Sequence, residues 1–331
     1  MKLVSYQTED SAHLGVFVNG NIYNLNSCDK LLPDDMNAFL QGGEVLMERA
    51  LKIDAQIKSG EMTPKMEVFF QLLAPVPRPT SCRDAYAFRQ HVAAARRNRK
   101  VDMIDAFDEY PIFYFTNHNA IQGPGEIECM PDHFQKLDFE LEVAVVIGKK
   151  GRNFTAAEAD DYIAGFMIMN DMSARQLQME EMLLNLGPAK GKDFSTVIGP
   201  WLVTPDELEA YKTAPKPGHT GNAYNLNMTC TVNGVQVSSG NVADMDWTFA
   251  EIIERCAYGV DVLPGDVIGS GTVGTGCFLE LNGTGLLNDA NYQPQWLQDG
   301  DEVEMEITGL GRLINIIKKA DSDFSILALK K

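Results

Sequence analysis

The segment Leu137-Asp138-Phe139-Glu140-Leu141-Glu142-Val143-Ala144 concentrates ionisable side chains in a short stretch. Side chains alternate along a strand, so Asp138, Glu140 and Glu142 share one face while Phe139, Leu141 and Val143 share the other. Carboxylates held side by side repel unless water, protons or a cation screens them. A donor set made only of oxygen favours a hard ion such as Mg2+, Ca2+ or Mn2+ over zinc. The same alternation suits a strand with one solvated acidic face. A second place for chemistry is the apolar run 166–169, which stops at Asn170-Asp171; strand ends are where rigid scaffolds present reactive groups. Asp171 fits equally well as the N-cap of a following helix, with Ser173 in its first turn. On that helix Arg175 and Gln178 share a face. The third place is 83–91, which, read as a helix, puts Asp84, Phe88 and His91 on one side. Between Arg83 and Lys100 stand six basic residues and one acid. This positive island suits an anionic ligand, a solvated helix face or a subunit contact. His91 is one of only five histidines, and an imidazole titrates near neutrality, as a general base requires.

These groups need elements to hold them. Short strands are expected at 2–7, 14–18 and 21–25, with Asn19-Gly20 turning the hairpin between the last two. Met36, Phe39, Leu40, Leu46 and Leu51 recur at helical spacing. Pro75, Pro77 and Pro79 then make a stiff connector. The boundary is set there, giving a small β-rich N-terminal domain at 1–73 and a larger domain at 74–331. The larger part reads as strands at 139–148, 165–170, 267–270, 277–281, 302–308 and 313–317, a hairpin about Asn233-Gly234, and helices at 156–164 and 247–256. Residues 283–295 read as an exposed loop. The expected fold class is mainly β, of the α+β kind.

Composition excludes several functions. The 331 residues carry 46 acids against 28 Lys and Arg, a net charge of −18. Nucleic acid and anionic membrane surfaces, which need a basic face, are therefore not expected partners. No stretch approaches the ~20 apolar residues of a membrane span. The six cysteines show no CxxC or zinc spacing, which suits reduced thiols. The first ten residues contain no apolar secretory run. Together these predict a cytoplasmic enzyme.

Taken in order, the motifs resemble the fumarylacetoacetate hydrolase family over residues 75–317. Asp84-Ala-Tyr86-Ala-Phe-Arg-Gln-His91 resembles the segment found in its fumarylacetoacetase members, and Phe139-Glu140-Leu141-Glu142 its paired-glutamate metal strand. Met169-Asn170-Asp171-x-Ser173-Ala174-Arg175-x-x-Gln178 is similar to the strand-end metal aspartate and the polar residues after it. The run from Leu186 to Thr196 resembles the lysine loop. Leu263-Pro264-Gly265-Asp266, with Gly271-Thr272, resembles the Pro-Gly-Asp…Gly-Thr signature, and Phe278-Leu279-Glu280-Leu281 the strand carrying an outer glutamate. The sequence departs from the family at 115–120, and Lys100 stands where an arginine is the family habit.

The resemblance implies a mixed β-roll catalytic domain with a small N-terminal β domain, assembled as a homodimer. It implies a divalent cation, Mg2+ or alternatively Ca2+ or Mn2+, at Asp84, Glu140, Glu142 and Asp171, with Lys192 and Thr196 beside it. It further implies a small anionic diketo acid as substrate, contacted by Tyr86, Lys100, Arg175, Gln178 and Thr272. The expected reaction is hydrolysis of a carbon–carbon bond, as in aromatic catabolism: His91, oriented by Glu280, activates water, while Lys192, Arg175 and Gln178 stabilise the departing carbanion. Acylpyruvate hydrolysis, oxaloacetate-type decarboxylation, isomerisation and sugar-acid dehydration use the same metal-held enolate. A metal-binding protein without turnover is the alternative from a different class.

Overall fold

In the computed structural model, residues 1–68 and 70–330 are described. Fourteen strands carry the argument: β1 (Lys2–Gln7), β2 (Ala12–Val18), β3 (Asn21–Asn24), β4 (Cys82–Ala85), β5 (Phe113–Thr116), β6 (Gly125–Cys129), β7 (Leu141–Ile147), β8 (Ile163–Asp171), β9 (Thr196–Val203), β10 (Asn227–Val232), β11 (Val235–Asn241), β12 (Val267–Gly269), β13 (Glu302–Ile307) and β14 (Gly311–Lys319). Six helices accompany them: α1 (Met36–Gln41), α2 (Gly43–Ser59), α3 (Arg89–Asn98), α4 (Arg175–Met182), α5 (Phe249–Ala257) and α6 (Phe278–Asn288). Helix makes up 29% and strand 31%, with no closed barrel among the described residues, so the expected mixture holds with helix as prominent as strand.

The large sheet runs β3-β2-β1-β9-β8-β7-β12-β4-β5, with two-residue strands at Gln71–Leu72 and Ile121–Gln122 attached to β1 and β9. A second sheet runs β11-β10-β13-β14-β6. The Asn-Gly pairs turn both hairpins as expected, and Asn19, Gly20, Asn233 and Gly234 all take the positive φ that a type I′ turn requires. Every residue of β7 is buried, which explains its nearly unbroken apolar run; full burial of each Val, Leu or Ile contributes about 1.5–3 kcal/mol.

The two faces of the large sheet pack on different cores. Ala144, Val146, Met167 and Met169 join Phe39 and Ile53 beneath α1 and α2. Leu141, Val143, Phe166 and Ile168 join Phe249 and Ile252 of α5 and the second sheet. The expected boundary at residue 74 falls between Gln71–Leu72 and β4, while β1 pairs with β9 across it. All six cysteines are free, and among the described residues no helix is long and apolar enough to cross a membrane.

Three local expectations are corrected. Residues 278–281 are not a strand and 283–288 are not a loop: both lie in α6. Helix wins there because the Asp138 carboxylate accepts the Phe278 and Leu279 N–H groups at 2.7 and 2.9 Å, satisfying first-turn donors at the positive end of the helix dipole. Residues 84–91 are not one helix: Asp84 lies in β4, and α3 starts at Arg89. Asp171 caps no helix: it ends β8, and α4 starts at Arg175 without a side-chain cap.

Candidate active site

Asp84, Glu142 and Asp171 sit on three strands of the large sheet, on the face shared with Ala144 and Met169, and Glu140 immediately precedes β7. Gly269 of β12 lies in register between Asp84 and Ala144. A Cβ on Gly269 would stand 2.6 Å from Asp84 Oδ1 and 2.9 Å from Glu142 Oε2, so only glycine leaves space for the two carboxylates to meet. All four acids are buried, and one oxygen from each lies within 4.8 Å of the others. The Gly271 N–H donates to Asp84 Oδ1 at 3.0 Å and Glu142 Oε2 at 3.1 Å.

Burial dominates the electrostatics. It pushes the Asp84 carboxyl up to about 8, with the Asp171 charge adding to the shift. It raises Glu142 far above the usual carboxylate range, reinforced by Asp84, and raises Asp171 despite the opposing Lys192 charge. At Glu140 burial is more than offset by Lys192 and Arg175, which hold it at about 2. Glu142 Oε1 and Asp171 Oδ1 are buried without a hydrogen-bond partner, a costly state for an anionic oxygen. An oxygen-only set with unsatisfied lone pairs fits a hard divalent cation.

Cationic and hydroxyl groups close around these acids. Lys192 Nζ donates to Glu140 Oε2 and, at 2.7 Å, to Asp171 Oδ2, so it stands beside the acids as a cation rather than as a ligand. The Tyr114 hydroxyl donates to the same Asp171 oxygen at 2.5 Å. Arg175 donates to Asp138 Oδ2 and Glu140 Oε1, both at 2.8 Å, and to Gln178 Oε1 at 3.0 Å. Glu181 accepts the N–H groups of Ala189, Lys190 and Gly191 and so anchors the loop that delivers Lys192. A cavity of about 250 Å³ between 114–117 and 188–193 opens on Lys192 and Tyr114.

His91, in the first turn of α3, lies buried with Nδ1 2.6 Å from Glu280 Oε2. Glu280 in turn accepts the Thr275 N–H at 3.0 Å through Oε1, so the carboxylate is held from two sides. Tyr86 meets the His91 ring edge-on at 5.9 Å, and burial lifts its hydroxyl to about 12. A ring nitrogen of His91 also lies within 4.8 Å of a Glu140 oxygen and of Cys277 Sγ. The dyad and the carboxylates are therefore one constellation.

Other expected residues are placed differently. Thr196 is buried and pairs in register with Asp171; Thr272 is buried after Gly271. Lys100 is exposed just past α3 with a positive φ, and among the cations of this segment it is Arg99 whose charge reaches Tyr86. The positive island is largely spent on structure: Arg83 bonds Ser81, Arg89 pairs with Asp108 and Arg97 bonds Thr284. Tyr114, Cys277 and the space over Gly269 escaped the sequence reading. The sheet brings Tyr114 to Asp171 across 57 residues, and Cys277 stands at the start of α6, far along the chain from His91 and Glu140.

Four buried carboxylates, a buried lysine and an imidazole bonded to a buried glutamate thus stand together at one place in the fold. The family model for the fumarylacetoacetate (FAA) hydrolase C-terminal region matches residues 80–318, and the chain belongs to this family, whose enzymes bind a divalent metal and small-molecule substrates. It is 33% identical over 327 residues to the human protein named oxaloacetate tautomerase FAHD2A, mitochondrial, covering 95% of this chain and 91% of that protein. Among solved structures it resembles the fumarylacetoacetate hydrolase of Exiguobacterium antarcticum (24% identity, 97% and 100% coverage, TM-score 0.68). It also resembles a Sphingobium sp. SYK-6 maleylpyruvate hydrolase in complex with manganese(II) and pyruvate (17% identity, 97% and 100% coverage, TM-score 0.68).

The cytoplasmic expectation is overturned, because the human relative is a mitochondrial protein. That expectation rested on reduced cysteines and on the lack of an apolar secretory run, and neither separates the cytosol from a mitochondrion, whose targeting segments are amphipathic and Arg-rich instead.

Proposed function

We propose that this enzyme interconverts the keto and enol forms of a small 2-oxo dicarboxylic acid of the oxaloacetate type, with a divalent cation, Mg2+ first and Mn2+ or Ca2+ as alternatives, held by Asp84, Glu140, Glu142 and Asp171. The observation that carries this reading is the His91–Glu280 contact at 2.6 Å within reach of the carboxylate cluster. When bound, the cation supplies Lewis acidity to the 2-oxo carboxylate. His91 takes the proton from the carbon next to the oxo group. Glu280 fixes the imidazole tautomer and stabilises the imidazolium that forms. Lys192 and the Tyr114 hydroxyl stand where negative charge gathers on oxygen; the imidazolium delivers its proton to that oxygen to give the enol, and in the reverse direction the proton taken from the enol hydroxyl goes to the carbon. Arg175 holds Glu140 and Gln178 in place; Tyr86 and Thr272 line the substrate side. The 33% identity to a protein named oxaloacetate tautomerase supports the substrate class.

Cleavage of a carbon–carbon bond in a diketo acid is the second reading, because an oriented His–Glu pair equally activates water. The experiment follows oxaloacetate, acetylpyruvate and fumarylacetoacetate by ultraviolet absorbance, with Mg2+ and with chelator, and assays pyruvate and total oxaloacetate alongside. Metal-dependent loss of the enol band at constant total oxaloacetate supports the tautomerase. Stoichiometric cleavage of a diketo acid supports the hydrolase, pyruvate from oxaloacetate a decarboxylase, and no metal-dependent change with any of them overturns the proposal. A homodimer and the division into 1–73 and 74–331 stay proposals. Light scattering at twice the chain mass and stepwise limited proteolysis test them.

A further inference from the structure

Next to the oxygen-only cluster lies a second group of donors with different chemistry. A ring nitrogen of His91, a Glu140 oxygen and Cys277 Sγ fall within 4.8 Å of one another, and all three residues are buried. A tetrahedral zinc holds nitrogen, oxygen and sulfur ligands about 3.4–3.6 Å apart, so side-chain adjustments of roughly 1 Å bring these donors into place. His91 Nδ1 is committed to Glu280, which leaves Nε2 free and reproduces the carboxylate-oriented imidazole common at zinc sites. Both Glu140 oxygens already accept a bond, from Arg175 and from Lys192, and each keeps a second lone pair. Cys277 is fixed at the start of α6, directly before the Phe278 and Leu279 N–H groups that Asp138 holds. Sulfur and imidazole are softer than the carboxylates and select a different ion.

We propose that His91, Glu140 and Cys277 form a second site, for a borderline-soft divalent cation of the zinc class, sharing Glu140 with the oxygen-only site. On binding, the Cys277 S–H bond breaks, its proton passes to solvent and a sulfur–metal bond forms, with no change of oxidation state. The ion takes the Nε2 lone pair of His91, so its occupancy removes the base. This site stands whichever reaction the enzyme performs.

The test is a Co2+ titration of the full chain kept in excess Mg2+, read by absorption. The near-ultraviolet thiolate-to-cobalt band is expected to saturate at one equivalent, to vanish in Cys277→Ser and to persist in Cys129→Ser. Zn2+ is expected to displace the band stoichiometrically. Glu280→Gln, which leaves all three donors in place, is expected to weaken Co2+ binding about 10- to 100-fold, and serves if Cys277→Ser fails to fold. Absence of a thiolate band in the unaltered protein, its survival in Cys277→Ser, or unchanged affinity in Glu280→Gln each overturns the proposal.

Discussion

Replacing Lys192 with methionine isolates the charge that holds the buried acids together. The two side chains have similar length and volume, so packing changes little. The ammonium is lost from Asp171 Oδ2, 2.7 Å away, and from Glu140 Oε2. One such pair at 2.7 Å amounts to about 6 kcal/mol at an effective dielectric near 20. Proton uptake by the abandoned carboxylates relieves part of this, and removing one partner of a buried pair costs about 3–5 kcal/mol. The 331 residues, at ~2.1 cal/mol/K each, give an unfolding entropy near 0.7 kcal/mol/K. The expected fall in Tm is therefore about 4–7 °C in chelator. Saturating Mg2+ supplies positive charge to the same acids and shrinks the gap between variant and parent. Differential scanning calorimetry with chelator and with Mg2+ measures both effects. A gap under about 1 °C, or one that Mg2+ leaves unchanged, refutes the view that Lys192 neutralises this cluster.

Gly269→Ala drives a methyl group into Asp84 and Glu142; Mg2+ affinity by calorimetric titration is expected to drop at least about tenfold while the circular dichroism spectrum is kept. His91→Ala is expected to lower kcat by about 10²–10⁴. Glu280→Gln, which leaves the imidazole present, is also expected to lower kcat; an unchanged kcat would deny Glu280 an orienting role. Burial, helped by the Lys190 charge, lowers the His133 imidazole to about 4. Between pH 4 and the ordinary 6.5 the unfolded chain then binds more protons than the folded one, so stability falls as pH drops through this window. The loss is at most about 3 kcal/mol, and His133→Gln should flatten that part of the stability–pH curve.

Local signals carried far in this sequence where the structure is itself local. Asn19-Gly20 and Asn233-Gly234 turn where they should, because only residues tolerant of positive φ fit there. Glu140, Glu142 and Asp171 stand out in the sequence as acids beside or ending apolar runs, but a solvated strand face and a helix cap fit those patterns as well, and only the family resemblance joins them into one site. Helix α6 was not legible, since Asn282, Gly283 and Gly285 have poor helix propensity. Its stability comes from Asp138, 140 residues away, and from Asn98, whose amide bonds the Glu280 carbonyl. Tyr114 looked like one aromatic among several in Phe113–Thr116; its bond to Asp171 depends on which strands lie side by side, and no spacing encodes that.

The placement of the acids on β4, β7 and β8, with a glycine from β12 between two of them, makes the site a check on strand registration. A slip of one residue in β4 would turn Asp84 to the opposite face and bring Arg83 or Ala85 over Gly269. The β4–β12 pairing spans only three residues, Cys82 to Asp84 against Val267 to Gly269, too few to enforce alignment alone. An ion held by all four carboxylates would bind the aligned chain and not the slipped one, and its binding would favour correct registry at the centre of the sheet.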